Sequence, residues 1–246
     1  MHEDERPLSS HPSQFKNTLL QHLRPDTIER LQLRRVTLEL GKGIEFPGKP
    51  IDHLSFIEKG IGAMTTTFKD GSQVEVSMFG YESVIGVSAL MGTKQSLNRA
   101  YMQLAGYGWI SPMEAAKREF ERCADFHHLA LRYVQAQLIQ AMQSAGCNVK
   151  HDISQRLARR LLLCADRAHT NTFSMSQEFM AEMLGSSRST VSIAAGMLKQ
   201  EGLIDYSRGA IEILRPAELE QRSCECYRIV KDHLDNYAEF DTGYTA

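Results

Sequence analysis

The sequence lacks several features that define other classes of protein. No apolar run reaches the ~18 residues of a membrane-spanning helix, which excludes that class. The five cysteines are an odd set without the spacing of a disulfide framework, so we expect reduced thiols. The acidic start, Met1–Arg6, lacks the basic and apolar layout of a secretory signal. These absences together predict a cytoplasmic protein without a membrane partner.

Catalytic patterns are also missing, and the overall charge favours no particular partner. No Ser/His/Asp set or pair of carboxylates stands out, so we expect no enzyme. The formal net charge is −2, but residues 156–199 carry six Lys and Arg against three acids. This local excess predicts a basic surface compatible with nucleic-acid binding, although ordinary solvated helix faces explain it equally well.

Glycine and proline divide the chain into two regions. Eleven of the 17 glycines lie between Gly41 and Gly108, and no proline occurs between Pro112 and Pro216. Turn-rich segments favour short strands, whereas a proline-free stretch with helical spacing favours helices. After helical segments within residues 13–33, we therefore predict a β-rich region and then a mostly helical one.

Strand patterns support the β-rich region. The segment Gln73–Met78 alternates polar and apolar residues, as expected of a strand with one buried face. Asp70-Gly71 predicts the hairpin turn before it, and the β-branched segment Met64–Phe68 predicts the partner strand. Gly60 and Gly62 predict a further turn. Short strands at this spacing predict a small barrel or jelly roll.

A long helix is predicted over about Cys123 to Cys147. Its apolar positions are spaced alternately three and four residues apart, which is the heptad seam of a helix that pairs with another. These positions are Leu131, Val134, Leu138, Ala141 and Ala145. The seam predicts a homodimer, and the alternative is a helix that packs only on its own domain.

Residues 174–213 have the pattern of a helix-turn-helix followed by a hairpin. Ser176 is the predicted cap of the first helix, and Gly185 ends it because glycine adopts the left-handed conformation readily. Ser187 caps the second helix after a break of about three residues, the length that this motif requires. The buried stripe of the first helix is predicted to be Phe179, Met180, Met183 and Leu184.

The second helix separates an apolar face from a polar one. Val191, Ala194 and Leu198 lie on the first face, and the second begins with Arg188, the residue type that reads guanine bidentately. The hairpin after it predicts a wing. Arg188 is assigned to a base edge, and Ser189 and Ser192 to base edges or phosphates. Phosphate or capping contacts are assigned to Ser176, Ser187, Thr190, Lys199 and Arg208. A purely structural subdomain is the alternative, against which the combined turn, caps and wing argue.

These motifs resemble the Crp/Fnr family of transcription regulators. The resemblance covers nearly the whole chain and is most specific at Met180–Val191 and Gly202–Ile204. It implies a homodimer on a two-fold symmetric site in double-stranded DNA, with RNA polymerase as a further partner. Ser189 and Ile193 stand where the family usually has a glutamate and a second arginine. The DNA site is therefore expected to differ from the best-known consensus.

The resemblance also implies an α+β fold with three parts. Residues 1–111 are expected to form a cyclic-nucleotide-binding-like β jelly roll that acts as a sensor. Residues 112–149 are expected to form the dimerisation helix and linker. Residues 150–246 are expected to form the winged helix-turn-helix with a C-terminal helical tail.

The N-terminal domain differs from the family members that bind cyclic AMP, and this difference bears on its ligand. Members that bind cyclic AMP carry Gly-Glu followed about ten residues later by Arg-Ser/Thr-Ala, where the glutamate accepts from the ribose hydroxyl and the arginine holds the phosphate. Here Gly86 precedes Val87, which cannot accept a hydrogen bond, and Arg99-Ala100 lies farther along without the Ser/Thr. We expect DNA binding without cyclic AMP, and Gly86, Arg99 and Ala100 remain candidates for an unidentified effector site.

No metal or cofactor is expected. No cysteine precedes Cys123, so the N-terminal cysteine cluster of oxygen-sensing members is missing. Cys224 and Cys226 are separated by one residue, which suits two packed or exposed thiols better than a redox or metal pair. A metal or haem ligand at His127-His128 is a less favoured alternative.

Two rival functions differ in class from a DNA-binding regulator. A cyclic-nucleotide-responsive sensor that acts through a protein partner would bind nucleotide and show no salt-sensitive DNA binding. An enzyme in the barrel pocket would need a cluster of His and Glu ligands, and His53 is the only histidine between Gly41 and Pro112. The helix-turn-helix pattern favours the regulator over both.

Overall fold

The predicted N-terminal helical segments are confirmed, as three short helices. A computed structural model describes residues 12–207 and 209–239, so Arg208, predicted as a contact at the wing tip, lies outside the described residues. A 3₁₀ helix, Pro12–Gln14, is followed by α1 (Thr18–Gln21) and α2 (Pro25–Arg30). Proline can begin a helix but not continue one, so α1 and α2 are separate.

The predicted β-rich domain is an antiparallel sheet whose two long strands lie side by side. The strands are β1 (Arg34–Leu38), β2 (Gly43–Glu45), β3 (His53–Thr67), β4 (Gln73–Phe79), β5 (Val84–Ile85) and β6 (Arg99–Pro112). β3 pairs with β6, while β1 and β2 add to β6, and β4 and β5 add to β3. A 3₁₀ helix, Val87–Met91, follows β5. The hairpin at Asp70-Gly71 is confirmed, and Asp70 accepts from the Ser72 N–H at 3.0 Å.

The predicted turn at Gly60 and Gly62 is wrong, because β3 runs through both residues without interruption. Its register against β6 shifts between Ile57 and Gly62, which marks β-bulges. Gly60 has a φ of 101°, and a Cβ there would lie 2.5 Å from the Leu104 carbonyl oxygen. Glycine therefore permits a bulged strand to approach its neighbour closely, a role that the sequence does not distinguish from a turn.

The helical half begins where Pro112 was predicted to mark the connection. Its helices are α3 (Met113–Glu121), α4 (Asp125–Lys150), α5 (Ile153–Ala168), α6 (Gln177–Leu184), α7 (Arg188–Gln200), α8 (Pro216–Arg222) and α9 (Cys226–Asn236). A second sheet has β7 (Thr172–Ser174), β8 (Ile204–Ser207) and β9 (Ala210–Ile213) in the order β7-β9-β8. The long helix is confirmed as α4, with 26 residues.

A capping box separates α4 from α5. The Asp152 carboxylate accepts from the N–H groups of Ser154 and Gln155 at 2.8 and 2.9 Å, and the Gln155 side chain accepts from the Asp152 N–H. His151, the last residue before the box, has an extended backbone. The chain therefore has a defined joint between the two helices rather than one continuous helix.

The core continues from the first sheet into the helical half. Phe56, Phe126 and Tyr133 are buried in the same apolar cluster as Tyr237, just after α9. The Tyr237 hydroxyl donates to the Glu82 carbonyl oxygen at 2.9 Å. The C-terminal helix thus packs back along α4 onto the β-rich domain. Among the helices that the structure describes, none is both long and apolar enough to span a bilayer.

Candidate nucleic-acid interface

Helices α6 and α7 form the predicted helix-turn-helix, and its local signals are confirmed. The Ser176 hydroxyl accepts from the Phe179 N–H at 3.1 Å at the start of α6. Gly185 ends the helix in the left-handed region, with φ 57° and ψ 44°. The Ser187 hydroxyl then accepts from the Thr190 N–H at 3.2 Å at the start of α7. Each helix end is therefore set by a residue within the motif itself.

Burial fixes which face of each helix is available. Met180, Met183 and Leu184 of α6 are buried, and Phe179 is half-buried. On α7 the predicted apolar face is confirmed, since Val191, Ala194 and Leu198 are buried. Burying a side chain of leucine size stabilises the fold by about 1.5–3 kcal/mol, so this face holds α7 against the domain.

The opposite face of α7 is open to solvent at its N-terminal end. Arg188, Ser189 and Thr190 are exposed, Ser192 is half-exposed, and Ile193 is exposed beside them. The Ser187 hydroxyl lies 2.9 Å from that of Ser189 and 2.8 Å from that of Thr190. Hydroxyl groups therefore cluster at the positive end of the helix dipole, where phosphate groups bind readily.

Arg188 already has an anionic partner. Its guanidinium lies 2.6 Å from the Glu178 carboxylate in the first turn of α6, and both side chains are largely exposed. A surface ion pair of this kind contributes about 0–1 kcal/mol, so its replacement by a guanine or phosphate contact costs little. The pair therefore restrains the side chain of the predicted base-reading residue only weakly.

Lys199 is held by the wing. Its ammonium group lies 2.6 Å from the Asp205 carboxylate and donates to the Tyr206 carbonyl oxygen at 3.1 Å. The hydrogen bond and charge of Lys199 lower the pKa of Asp205. The wing is the predicted hairpin, formed by β8 and β9 with β7 added at its edge. Lys199 thus fastens the recognition helix to the wing.

The prediction of a basic surface over residues 156–199 is wrong for half of the cations in that segment, because they are buried. Arg159, Arg160 and Arg167 are buried, with exposures of 2%, 9% and 4%. Arg160 pairs with Glu75 of β4, and Arg167 with Glu82 in the turn after it. The sequence conceals this because the partner carboxylates lie more than 80 residues away.

Of the remaining cations in that segment, Arg156 is also engaged. Its guanidinium donates to the Leu184 carbonyl oxygen at the end of α6. That bond satisfies a carbonyl that the helix itself leaves without a partner. The cations of this segment therefore serve mainly to assemble the domain, and Arg188 is the one at the open end of α7.

Two of the three candidate effector residues of the β-rich domain, Gly86 and Ala100, lie next to Glu45. Ala100 is paired with Glu45 across β6 and β2, and the buried carboxylate accepts from Ser96 at 2.5 Å and from the Gly86 backbone. The Arg99 guanidinium lies 5.0 Å from the centre of the Tyr101 ring. The Glu45 carboxylate therefore already accepts the hydrogen bond that the Gly86 backbone could otherwise donate to a ligand.

The face of α4 away from its own domain carries an apolar stripe. Leu131, Leu138, Met142 and Val149 are 43%, 57%, 58% and 91% exposed. Two of them are predicted seam positions, and the stripe continues at the spacing of a heptad pattern. The described residues contribute nothing that covers these side chains.

A cluster that the sequence reasoning missed lies at the joint after α4. Cys147, His151, Cys224 and Cys226 each place a ligand atom within 4.8 Å of the others. A hydrogen bond from Cys224, together with His151 and the charge of Arg159, lowers the pKa of Cys147. The signal in the sequence was the spacing of four between Cys147 and His151, which places both on one helix face. By contrast His127 lies away from these residues, and its Nδ1 is 2.9 Å from the Phe120 carbonyl oxygen.

Comparisons with known proteins support the same interpretation of the helical half. The model of the Crp-like helix-turn-helix domain matches residues 155–222. The chain is 26% identical over 217 residues to the global nitrogen regulator of Synechococcus elongatus, covering 84% of this chain and 97% of that protein.

Two solved structures share the fold. One, assigned to the crp/fnr family of transcriptional regulators and from Eubacterium rectale, has a TM-score of 0.67 at 20% identity, covering 86% of this chain and 98% of that one. FixK2 from Bradyrhizobium japonicum also has a TM-score of 0.67, at 15% identity, covering 78% of this chain and 98% of that one. At these identities the likeness concerns the fold alone.

A winged helix-turn-helix with an exposed recognition helix, joined to a β-rich domain by a long helix, defines a DNA-binding regulator. Residues 155–222 match the Crp-like helix-turn-helix domain, and the chain shares the fold of solved regulators of the Crp/Fnr family.

Proposed function

We propose that the protein binds a two-fold symmetric DNA site as a homodimer and needs no cyclic AMP to do so. The observation that carries this proposal is the open N-terminal end of α7, with Arg188 and Ser189 exposed. In a helix-turn-helix dimer, two such ends enter successive major grooves about 34–36 Å apart. The proposal assigns residues 1–111 to a sensor or scaffold, 112–149 to dimerisation and 150–246 to DNA binding.

The contacts divide by chemistry. Arg188 is proposed to read a guanine, with Ser189 and Ser192 reaching neighbouring base edges. Phosphate contacts are proposed for Ser176, Ser187, Thr190, Lys199 and Arg208. Lys199 is paired with Asp205, so it must leave or share this carboxylate to contact a phosphate. We therefore expect Lys199 to contribute less to DNA affinity than an unpaired lysine would.

The apolar stripe of α4 supports the homodimer. Leu131, Leu138 and Met142 lie in a row on one helix face and are exposed. A second α4 packed against this row removes three large apolar side chains from water in each chain, which is favourable by about 25 cal/mol for every Å² buried. The two-fold symmetry of such a helix pair matches that of the proposed DNA site.

Glu45 supports binding without cyclic AMP. A cyclic phosphate at this position needs free backbone N–H groups and an arginine. Here the Gly86 backbone donates to the buried Glu45 carboxylate instead. A phosphate would meet that negative charge, so the site disfavours an anionic ligand while Glu45 is ionised.

The proposal extends to RNA polymerase as a partner and to the cytoplasm as the location. Both follow from the function of a DNA-binding transcription regulator in a cell where transcription occurs in the cytoplasm. The sequence-based prediction that the chain is not an enzyme is kept as part of the proposal.

A binding assay with two arginine variants tests the role of α7. We expect Arg188→Ala to weaken specific DNA binding by about 1–3 kcal/mol and to relax the preference at one base pair. Arg228→Ala is the matched control, because Arg228 is an exposed, ion-paired arginine on α9. Fluorescence anisotropy on the selected site and its single-base variants measures both. Equal effects of the two substitutions would contradict the assignment of α7 as the reading helix.

A further inference from the structure

The cluster at the joint after α4 draws its members from two distant parts of the chain. Cys147 and His151 lie four residues apart at the end of α4. Cys224 and Cys226 lie on either side of Glu225, the residue that precedes α9. Three of the four side chains are buried and His151 is half-buried. The fold therefore encloses three sulfur atoms and one imidazole, a set that an ordinary apolar core does not need.

The spacing of the ligand atoms is that of a tetrahedral metal site. A zinc ion with Zn–S of about 2.3 Å and Zn–N of about 2.0–2.1 Å separates two sulfurs by about 3.8 Å and sulfur from nitrogen by about 3.6 Å. The Cys147 and Cys224 sulfurs are 3.5 Å apart, and the Cys226 sulfur is 3.6 Å from the His151 Nδ1. Two opposite edges of the tetrahedron are thus already present.

The groups around these ligands are those that support a metal site. The His151 Nε2, on the far side of the ring from Cys226, lies 3.2 Å from the Glu225 carboxylate. A metal-bound histidine usually donates its other ring N–H to such a carboxylate, which fixes the ring and its tautomer. The Gln143 side chain donates to the Cys226 sulfur at 3.0 Å, as expected next to a thiolate ligand.

The local charge favours an anionic centre. Three thiolates, one neutral imidazole and a divalent cation have a net charge of −1. Arg159 of α5 is buried beside Cys147, and Arg156 is close enough to interact electrostatically with Cys147 and Cys224. These two cations offset the charge that such a centre would carry.

We propose that Cys147, His151, Cys224 and Cys226 bind one structural zinc ion. Thiolate and imidazole ligands in a tetrahedron are the usual set for zinc, and four protein ligands leave no position open for a substrate. All four ligand atoms lie within 4.8 Å, so they surround a single ion rather than a larger cluster. The proposal departs from the sequence-based expectation that Cys224 and Cys226 are two unliganded thiols.

The position of the site implies that the ion joins two parts of the helical half. His151 ends α4 immediately before the capping box that begins α5, and Cys226 begins α9. One ion therefore fastens the tail of the helical half to the joint at the end of the long helix. Metal binding to the folded chain stabilises it by mass action, so the bound ion should raise the melting temperature.

Metal analysis of the full chain tests the proposal directly. We expect protein purified under reducing conditions to contain one zinc per chain by mass spectrometry of the metal. Replacement by Co²⁺ should give the intense visible absorption of tetrahedral cobalt and the near-ultraviolet band of cobalt–thiolate bonds. Iron with inorganic sulfide in place of a single ion would overturn the zinc assignment. So would protein that neither carries zinc nor gives the cobalt spectrum.

Two cysteine variants separate this site from a general effect of losing a thiol. Cys226→Ser removes one ligand, and we expect it to lose zinc and the tetrahedral cobalt spectrum and to melt at a lower temperature. Cys123→Ser is the matched control, because Cys123 is an exposed thiol outside the cluster. It should retain one zinc per chain. Equal zinc content in both variants and the wild type would overturn the proposal.

A measurement on the unmodified protein covers the case in which Cys226→Ser does not fold. We expect Cys123 to react quickly with a thiol reagent while the three cluster thiols are protected. A mercurial should then release one zinc, detected with a chromogenic chelator, as those three thiols react. Fast reaction of Cys147, Cys224 and Cys226 without zinc release, or a Cys147–Cys224 disulfide in freshly reduced protein, would contradict the proposal.

Discussion

Replacing Arg167 by methionine should destabilise the folded protein strongly. Arg167 of α5 donates from Nε to the Glu82 carboxylate at 2.7 Å and from Nη2 to the Gln140 side chain at 2.9 Å. Both partners of the ion pair are almost fully buried, with side-chain exposures of 4% and 3%. Methionine fills similar space but leaves the Glu82 carboxylate without its cation.

The magnitude follows from that burial. Removing one partner of a buried ion pair costs about 3–5 kcal/mol, because the remaining charge stays in a medium that solvates it poorly. A domain has about 5–15 kcal/mol of stability in total, so the loss is a large fraction. Since Arg167 connects α5 to the turn after β4, the loss also loosens the contact between the helical half and the β-rich domain.

Urea denaturation at fixed protein concentration measures this effect. We expect the double variant Arg167→Met with Glu82→Gln to be less destabilised than the sum of the single variants, with a coupling of at least about 2 kcal/mol. The exposed pair of Arg228 and Glu220 provides the control, and Arg228→Met should change stability little. Similar losses for Arg167→Met and Arg228→Met would refute the argument from burial.

Three other substitutions test separate parts of the account. Glu178→Gln frees Arg188 from its surface partner, so DNA binding should tighten by up to about fivefold in fluorescence anisotropy, and weaker binding would show that the pair instead positions Arg188. Leu131→Glu should dissociate the dimer in sedimentation, whereas Leu97→Glu, on an exposed residue of the β-rich domain, should not; a dimer intact in both would move the interface elsewhere. Burial raises the pKa of Glu45 above that of the unfolded chain. The protonated carboxyl therefore contributes stability at acid pH, and this stability is lost as the pH rises through the pKa of the folded protein. Glu45→Gln should therefore gain stability relative to wild type as the pH rises above the ordinary pKa of a glutamate, and parallel pH profiles would contradict that sign.

The helix-turn-helix could be predicted because its signals are local. Ser176 and Ser187 cap helices within their own turn, and Gly185 ends one by its own conformation. The apolar stripes of α6 and α7 repeat at helical spacing, so the buried faces were predictable as well. The same holds for the hairpin at Asp70-Gly71.

Features that depend on distant partners could not be predicted. The arginines of α5 look like a basic surface in sequence, and only the fold brings Glu75 and Glu82 to Arg160 and Arg167. Gly60 has the sequence signature of a turn, but its position beside β6 makes it a bulge. The joint cluster unites Cys147 with Cys224 across 77 positions, a distance at which no spacing rule connects them.

Selection of DNA sites from a random pool tests whether α7 recognises DNA and whether this needs cyclic AMP. Purified, reduced protein is used with and without cyclic AMP, and bound sequences are enriched and read. If α7 reads DNA without a bound cyclic nucleotide, a two-fold symmetric motif should emerge without added nucleotide, with half-sites about one helical turn apart. A motif that emerges only with cyclic AMP would contradict the role given to Glu45, and enrichment of no motif under either condition would contradict the proposed DNA recognition by α7.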